Sequence, residues 1–137
     1  MSRPDQSRIA WMQNIVAMRA KFPGLRFKRL DGVPAWRGEL RPFTSAPPYN
    51  VQIAWRDWAS PRVKVTRPAL QTRAPHVYRD GSLCLFFPDD RSWQPGMLIS
   101  DTIVPWTAEW LMFYEYWMDT GKWWGPEAPH SCRKRPS

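Results

Sequence analysis

The stretch "PHVYRDGSLCLFFP", residues 75–88, gathers the groups in this chain best suited to covalent chemistry. It holds one of two cysteines, Cys84, and one of two histidines, His76, with an Asp80-Gly81 turn signal between them. A cysteine thiolate is a strong nucleophile, and the fraction present depends on the local pKa. An imidazole close by can help form the thiolate, position an incoming amine, or donate an N–H to a developing oxyanion. The turn before Cys84 and the proline-rich chain on both sides predict an accessible sulfur in a shallow groove, with His76 in the same neighbourhood. The plainer reading stands beside this one. A lone cysteine in a small domain is commonly an apolar filler, and a loop histidine is commonly a hydrogen-bonder.

Other reactive groups are less focused. Asp89, Asp90 and Asp101 include carboxylates able to orient an attacking amine, but nothing in the sequence selects one. His130 reads as a surface histidine and Cys132 as a free thiol in the basic ending "HSCRKRPS". Two cysteines and two histidines so scattered lack the paired spacing of a zinc site, and two cysteines make no disulfide framework. There is no glycine-rich phosphate loop, and no cofactor is expected.

With 137 residues, 43% of them hydrophobic, the chain predicts one domain over residues 1–137 with a real core and a flexible basic tail, 129–137. Ten tryptophans supply large buried areas from few side chains. No apolar run approaches the ~20 residues that span a bilayer. The start, "MSRPDQSRIAW", lacks a secretory pattern, so a cytoplasmic protein without a membrane partner is expected. The net charge of +8 admits nucleic acid, a membrane surface or an acidic partner. The charges are spread over nearly every segment instead of forming one stripe, which disfavours nucleic acid.

The elements that must position Cys84 are legible. A helix is predicted over residues 4–22, with Pro4 in its first turn, Ser2 as cap, and Ile9, Met12, Ile15 and Val16 near one apolar face. "LRFKRL", "AWRGEL", "YNVQIAW" and "RVKVTRP" then read as four strands of an antiparallel meander. An irregular segment, 68–100, carries the cysteine. A long helix follows, roughly Pro105 to Thr120, closed by Gly121, with Trp106, Trp110, Leu111, Tyr114, Trp117 and Met118 at helical spacing. The fold class is α+β.

These elements and motifs resemble the ubiquitin-conjugating enzyme fold. Members carry a His-Pro-Asn triplet, then an aromatic, Asp-Gly, a small residue, an aliphatic, the active cysteine and a leucine. "VYRDGSLCL", residues 77–85, is similar to that segment, and Trp93-Gln94-Pro95 resembles the Trp-x-Pro that follows it. "WRGEL" and "PPYNVQIAW" resemble the second and third strands, so the likeness covers about residues 5–120. Several positions depart from the pattern. Ala74-Pro75-His76 stands where His-Pro-Asn would, so His76 takes the asparagine's place. Phe86 replaces a frequent aspartate, and the cysteine-to-tryptophan interval is one residue longer. The later helices of eukaryotic members have no counterpart. "PWTAEWLMFYEYW" and "GKWWGPEAPH" are more similar to divergent bacterial relatives from anti-phage operons that encode a cyclic-oligonucleotide synthase.

The resemblance implies a thioester-forming enzyme in anti-phage defence that carries a protein C-terminus on Cys84 and transfers it to an amine. His76 would stand in for the asparagine amide as oxyanion donor. Tyr78, Asp80, Gly81, Trp93 and Pro95 would shape the loop. Arg8, Arg19 and Lys21 on the first helix would dock a partner; a solvated helix face is the plainer reading. With no adenylating motif here, an activating-enzyme-like partner and a protein substrate are implied, a cyclic-oligonucleotide synthase being one candidate. An inactive scaffold of the same fold and a basic nucleic-acid-binding module are the alternatives.

Overall fold

The computed structural model describes residues 3–56, 60–85, 93–94 and 96–125, with side chains from residue 10 onward. Chain order is α1 (Arg3–Lys21), β1 (Arg26–Leu30), β2 (Val33–Leu40), β3 (Tyr49–Ala54), β4 (Arg62–Arg67), a 3-10 turn (Ile99–Asp101) and α2 (Ile103–Thr120). The sheet is an antiparallel meander in the order β1-β2-β3-β4, as the sequence predicts. The β1–β2 turn needs two left-handed residues, and Asp31 (φ 53°) and Gly32 (φ 80°) supply them. Tyr49, Val51 and Ile53 alternate inward on β3 and are 1% exposed or less.

The other side of the core comes from α2. Ile103, Val104, Thr107, Trp110, Leu111 and Tyr114 recur at one-turn spacing and are buried. Tyr49 and Tyr114 meet edge to face at 6.2 Å, and the Tyr49 hydroxyl donates to the Glu115 carboxylate. Burial first, then that carboxylate, pushes the Tyr49 phenol far above its ordinary range. The helix starts two residues before Pro105, which therefore sits inside the first turn, where a missing N–H is harmless. Gly121, at φ 79°, ends it as expected and donates its N–H to the Trp117 carbonyl.

The inner face of α1 differs from the expected one. Met12 and Val16 are 60% and 67% exposed, while Asn14 and Met18 are buried, with Trp11 and Ile15 half-buried beside them. Asn14 takes an apolar slot because both ends of its amide find a hydrogen-bond partner there. Its Nδ2 donates to the Ala10 carbonyl, and its Oδ1 accepts the Ile99 N–H at 2.8 Å. This joins α1 to the 3-10 turn. Ser2 and the side chain of Ile9 lie outside the described residues.

One glycine governs the approach of the chain to β2. A Cβ on Gly38 would collide with the Gly24 carbonyl oxygen and lie 2.9 Å from its carbon, both backbone atoms that cannot rotate away. Gly38→Ala is therefore expected to destabilise the domain by roughly 1–3 kcal/mol, the range of an overpacked site. A thermal melt lowered by several degrees would show it, and an unchanged melt would contradict it.

Candidate active site

The cysteine segment is a miniature hairpin fastened to the sheet edge. Val77 and Leu83 form an antiparallel bridge. Tyr78 N–H donates to the Ser82 carbonyl at 2.8 Å, and Gly81 N–H closes the turn onto the Tyr78 carbonyl at 2.9 Å. Gly81 sits at φ 93°, a conformation that side chains rarely tolerate. Leu83 N–H donates to the Val63 carbonyl of β4 at 2.8 Å.

Asp80 fixes the turn from within. One carboxylate oxygen accepts both the Ser82 N–H (2.9 Å) and its hydroxyl (2.6 Å). The other oxygen pairs with Arg62 at 3.2 Å, and the same guanidinium reaches the Ser82 hydroxyl and lies 5.6 Å from the Tyr78 ring centroid. Burial opposes ionisation of Asp80, but the Ser82 hydrogen bonds, then Arg62 and Lys64, outweigh it and hold the carboxyl below its ordinary 3.8. The folded-state pKa is depressed, so the stabilisation is fully present above 3.8 and is lost as pH falls through the lower folded value. Asp80→Asn, which keeps the turn acceptor but not the charge, is expected to flatten the acid limb of a stability-against-pH curve. An acid limb identical to wild type would show that Asp80 does not contribute. Burial, partly offset by Arg62, also raises the Tyr78 phenol.

His76 and Cys84 come together through this hairpin. His76 takes a left-handed backbone, φ 57°, uncommon for a residue with a side chain although histidine is among those that adopt it more readily. Its carbonyl accepts both the Cys84 N–H at 2.9 Å and the Trp110 indole N–H at 3.1 Å. Its ring, 8% exposed with the rest of the residue, packs edge-on to Trp123 at 4.6 Å. Trp110 and Trp123 are themselves 5.5 Å apart. Helical spacing placed Trp110 in the core, but nothing in the pattern signalled that its N–H would cap this carbonyl, or that Trp123 would back the histidine.

With this geometry in place, the sequence model of the type II CBASS E2 proteins matches residues 14–131. The chain belongs to that family. Membership places this E2 chain in anti-phage defence and among ubiquitin-conjugating-like proteins, as the cysteine-loop motif implied. No curated protein matches the chain.

The accessible sulfur is not found. Cys84 is 0% exposed, belongs to the buried apolar cluster, and is disulfide-bonded. A cystine sulfur has no thiolate form. Cys132, the other cysteine in the sequence, lies outside the described residues, as do Pro95, Asp89, Asp90, His130 and the tail 129–137.

The remaining positions in this E2 chain divide. Trp93 is 6% exposed and meets Trp55 edge to face at 5.4 Å, so it is a packing residue. Lys21 is held by the Asp101 carboxylate, so it helps fasten α1 to the 3-10 turn, and Asp101 is far from a freely acting carboxylate. Arg19 is exposed and lines a hollow with Ile15, Leu25, Phe27 and Trp36. Arg8 lies on α1 at a position whose side chain is outside the described set. Among the described residues no three metal-ligating side chains cluster, and no helix is long and apolar enough to cross a membrane.

Proposed function

We propose that this chain, in its reduced state, accepts an activated protein C-terminus as a thioester on Cys84 and transfers it to an amine. The observation that supports this most is the hairpin that fixes Cys84 against His76 in a chain of the CBASS E2 family. A dithiol reductant first converts the cystine to two thiols and is itself oxidised to a disulfide. Cys132 is the chain's own candidate for the second sulfur. The Cys84 thiolate then attacks the carbonyl carbon of a thioester on an activating partner. A new S–C bond forms, the old one breaks, and the partner's sulfur leaves as thiolate. In the second step an amine attacks that carbon, an oxyanion forms, the attacking nitrogen gives its proton to solvent water, and collapse expels the Cys84 thiolate and leaves the amide.

His76 is the proposed oxyanion donor, and one such donor is typically worth ~2.7–4 kcal/mol of barrier. Tyr78, Asp80, Gly81, Trp93 and Pro95 are the proposed loop-shaping set, and Arg8, Arg19 and Lys21 the proposed partner contacts on α1. The cytoplasm, where disulfides are transient or regulatory, is the proposed compartment. A cyclic-oligonucleotide synthase is the proposed protein substrate.

The test is intact-mass spectrometry after incubation with a thioester donor, with and without prior reduction. A thiol-labile adduct on the reduced protein alone is expected. Its absence from reduced, folded protein would overturn the reading. One observation favours a second reading, a non-catalytic scaffold: the complete burial of Cys84. Iodoacetamide separates the two. Rapid alkylation of Cys84 in the reduced native protein supports the carrier, and a folded protein refractory to alkylation supports the scaffold.

A further inference from the structure

Strand alternation turns Val51, Ile53 and Val63 into the core and leaves the opposite face of the sheet to charged residues. The strand register lays two neighbouring rows across that face. One runs Arg26, Arg37, Gln52, Lys64, and the next runs Lys28, Ala35, Ala54, Arg62. All of these arginines and lysines are exposed, and neither row contains an acid; Glu39 lies one row further out, opposite Asn50. On the β3–β4 side the rows border a hollow of about 530 Å3 lined by Ala54, Ser60 and Arg56. Asp80 also lines it and is already engaged by Arg62.

Charges that look scattered along the chain are thus collected on one surface by the meander. Arg26 and Arg37 stand directly opposite each other, an arrangement that works against strand pairing. Among the described residues Arg62 is the one cation of these rows in an ion pair. Glu39 at the edge of the face and Asp80 beside Arg62 and Lys64 offset only part of this repulsion, and an anionic surface laid across the rows would offset more of it.

We infer that this face docks a protein partner through a carboxylate-rich patch on that partner. Nucleic acid fits less well. The two rows hold no aromatic side chain on which bases could stack, and a sheet face presents no helix or projecting loop to a groove. Three strand spacings give a width of about 14 Å, which suits a transient contact better than a permanent interface. Arg62 links the face to the cysteine hairpin, because it also holds Asp80 and Ser82. The inference rests on the acyl-carrier reading only in making the docked protein a participant in the transfer.

The experiment measures fluorescence anisotropy of a labelled polyglutamate peptide and a labelled duplex DNA against the full chain at low salt. Three proteins are compared: wild type, Arg37→Glu with Lys64→Glu, and a control with Arg73→Glu and Lys122→Glu, which are exposed but off the sheet. Polyglutamate affinity is expected to fall by about tenfold or more in the sheet variant, and to change little in the control beyond the general loss of net charge. Equal losses in both variants would overturn a localised face. Tighter binding of duplex DNA than of polyglutamate, lost in the sheet variant, would make it a nucleic-acid surface instead. Circular dichroism verifies that each variant is folded. Iodoacetamide labelling of reduced Cys84 in the same samples is expected to be unchanged, so failure of docking and failure of the carrier reading give different patterns.

Discussion

Cys84→Ala is expected to yield no transferable adduct, a loss of at least about a thousandfold, because no other atom of the site can hold the acyl group. Cys84→Ser should instead trap an oxygen ester that resists thiols, since the hydroxyl is a poorer nucleophile and a poorer leaving group. Both variants also remove the disulfide, whose loss typically costs about 2–4 kcal/mol. A melt must therefore accompany the assay. Cys132→Ala is the decisive companion. It removes the same bridge if Cys132 is the partner but keeps the acceptor sulfur, so it should charge without any reductant. Full activity in Cys84→Ala, or a reductant requirement that persists in Cys132→Ala, would contradict this account of the site.

His76 carries the second large effect. Its φ of 57° makes alanine a poor probe, because a Cβ without a compensating polar group strains that backbone. Glycine tolerates the conformation and removes the ring, and asparagine tolerates it and restores an amide donor. His76→Gly is expected to load Cys84 normally but discharge to an amine about 10²–10³ times more slowly, the effect of a lost oxyanion donor. His76→Asn should recover part of that rate. If the imidazole acts as a base, asparagine cannot replace it, and loading should fall as the ring protonates at lower pH. Single-turnover discharge across roughly pH 6 to 9 distinguishes these cases. Equal rates in all three proteins would confine His76 to its backbone role, the carbonyl that receives Cys84 N–H and the Trp110 indole.

The meander was legible because its signals are local. Tyr49, Val51 and Ile53 alternate within one strand, and Asp31-Gly32 states its turn in two residues. The inner face of α1 was misread because Asn14 occupies a slot that hydropathy assigns to an apolar residue, and only the distant Ile99 N–H explains it. The basic face was invisible for a related reason. Arg26, Arg37 and Lys64 are separated along the chain and become neighbours only through register. The turn that precedes Cys84 could be read from Asp80-Gly81, but burial of the sulfur could not. It depends on the apolar cluster that residues from the sheet and α2 build around it, and these are distant along the chain.

The hydrogen bond from Ile99 to Asn14 has a further consequence. Leu83 N–H fastens the cysteine hairpin to the Val63 carbonyl of β4, whereas Ile99 N–H fastens the 3-10 turn that leads into α2 to Asn14 on α1. The hairpin is thus positioned from the sheet edge and the start of α2 from the first helix, so a change that loosens one of these contacts leaves the other in place.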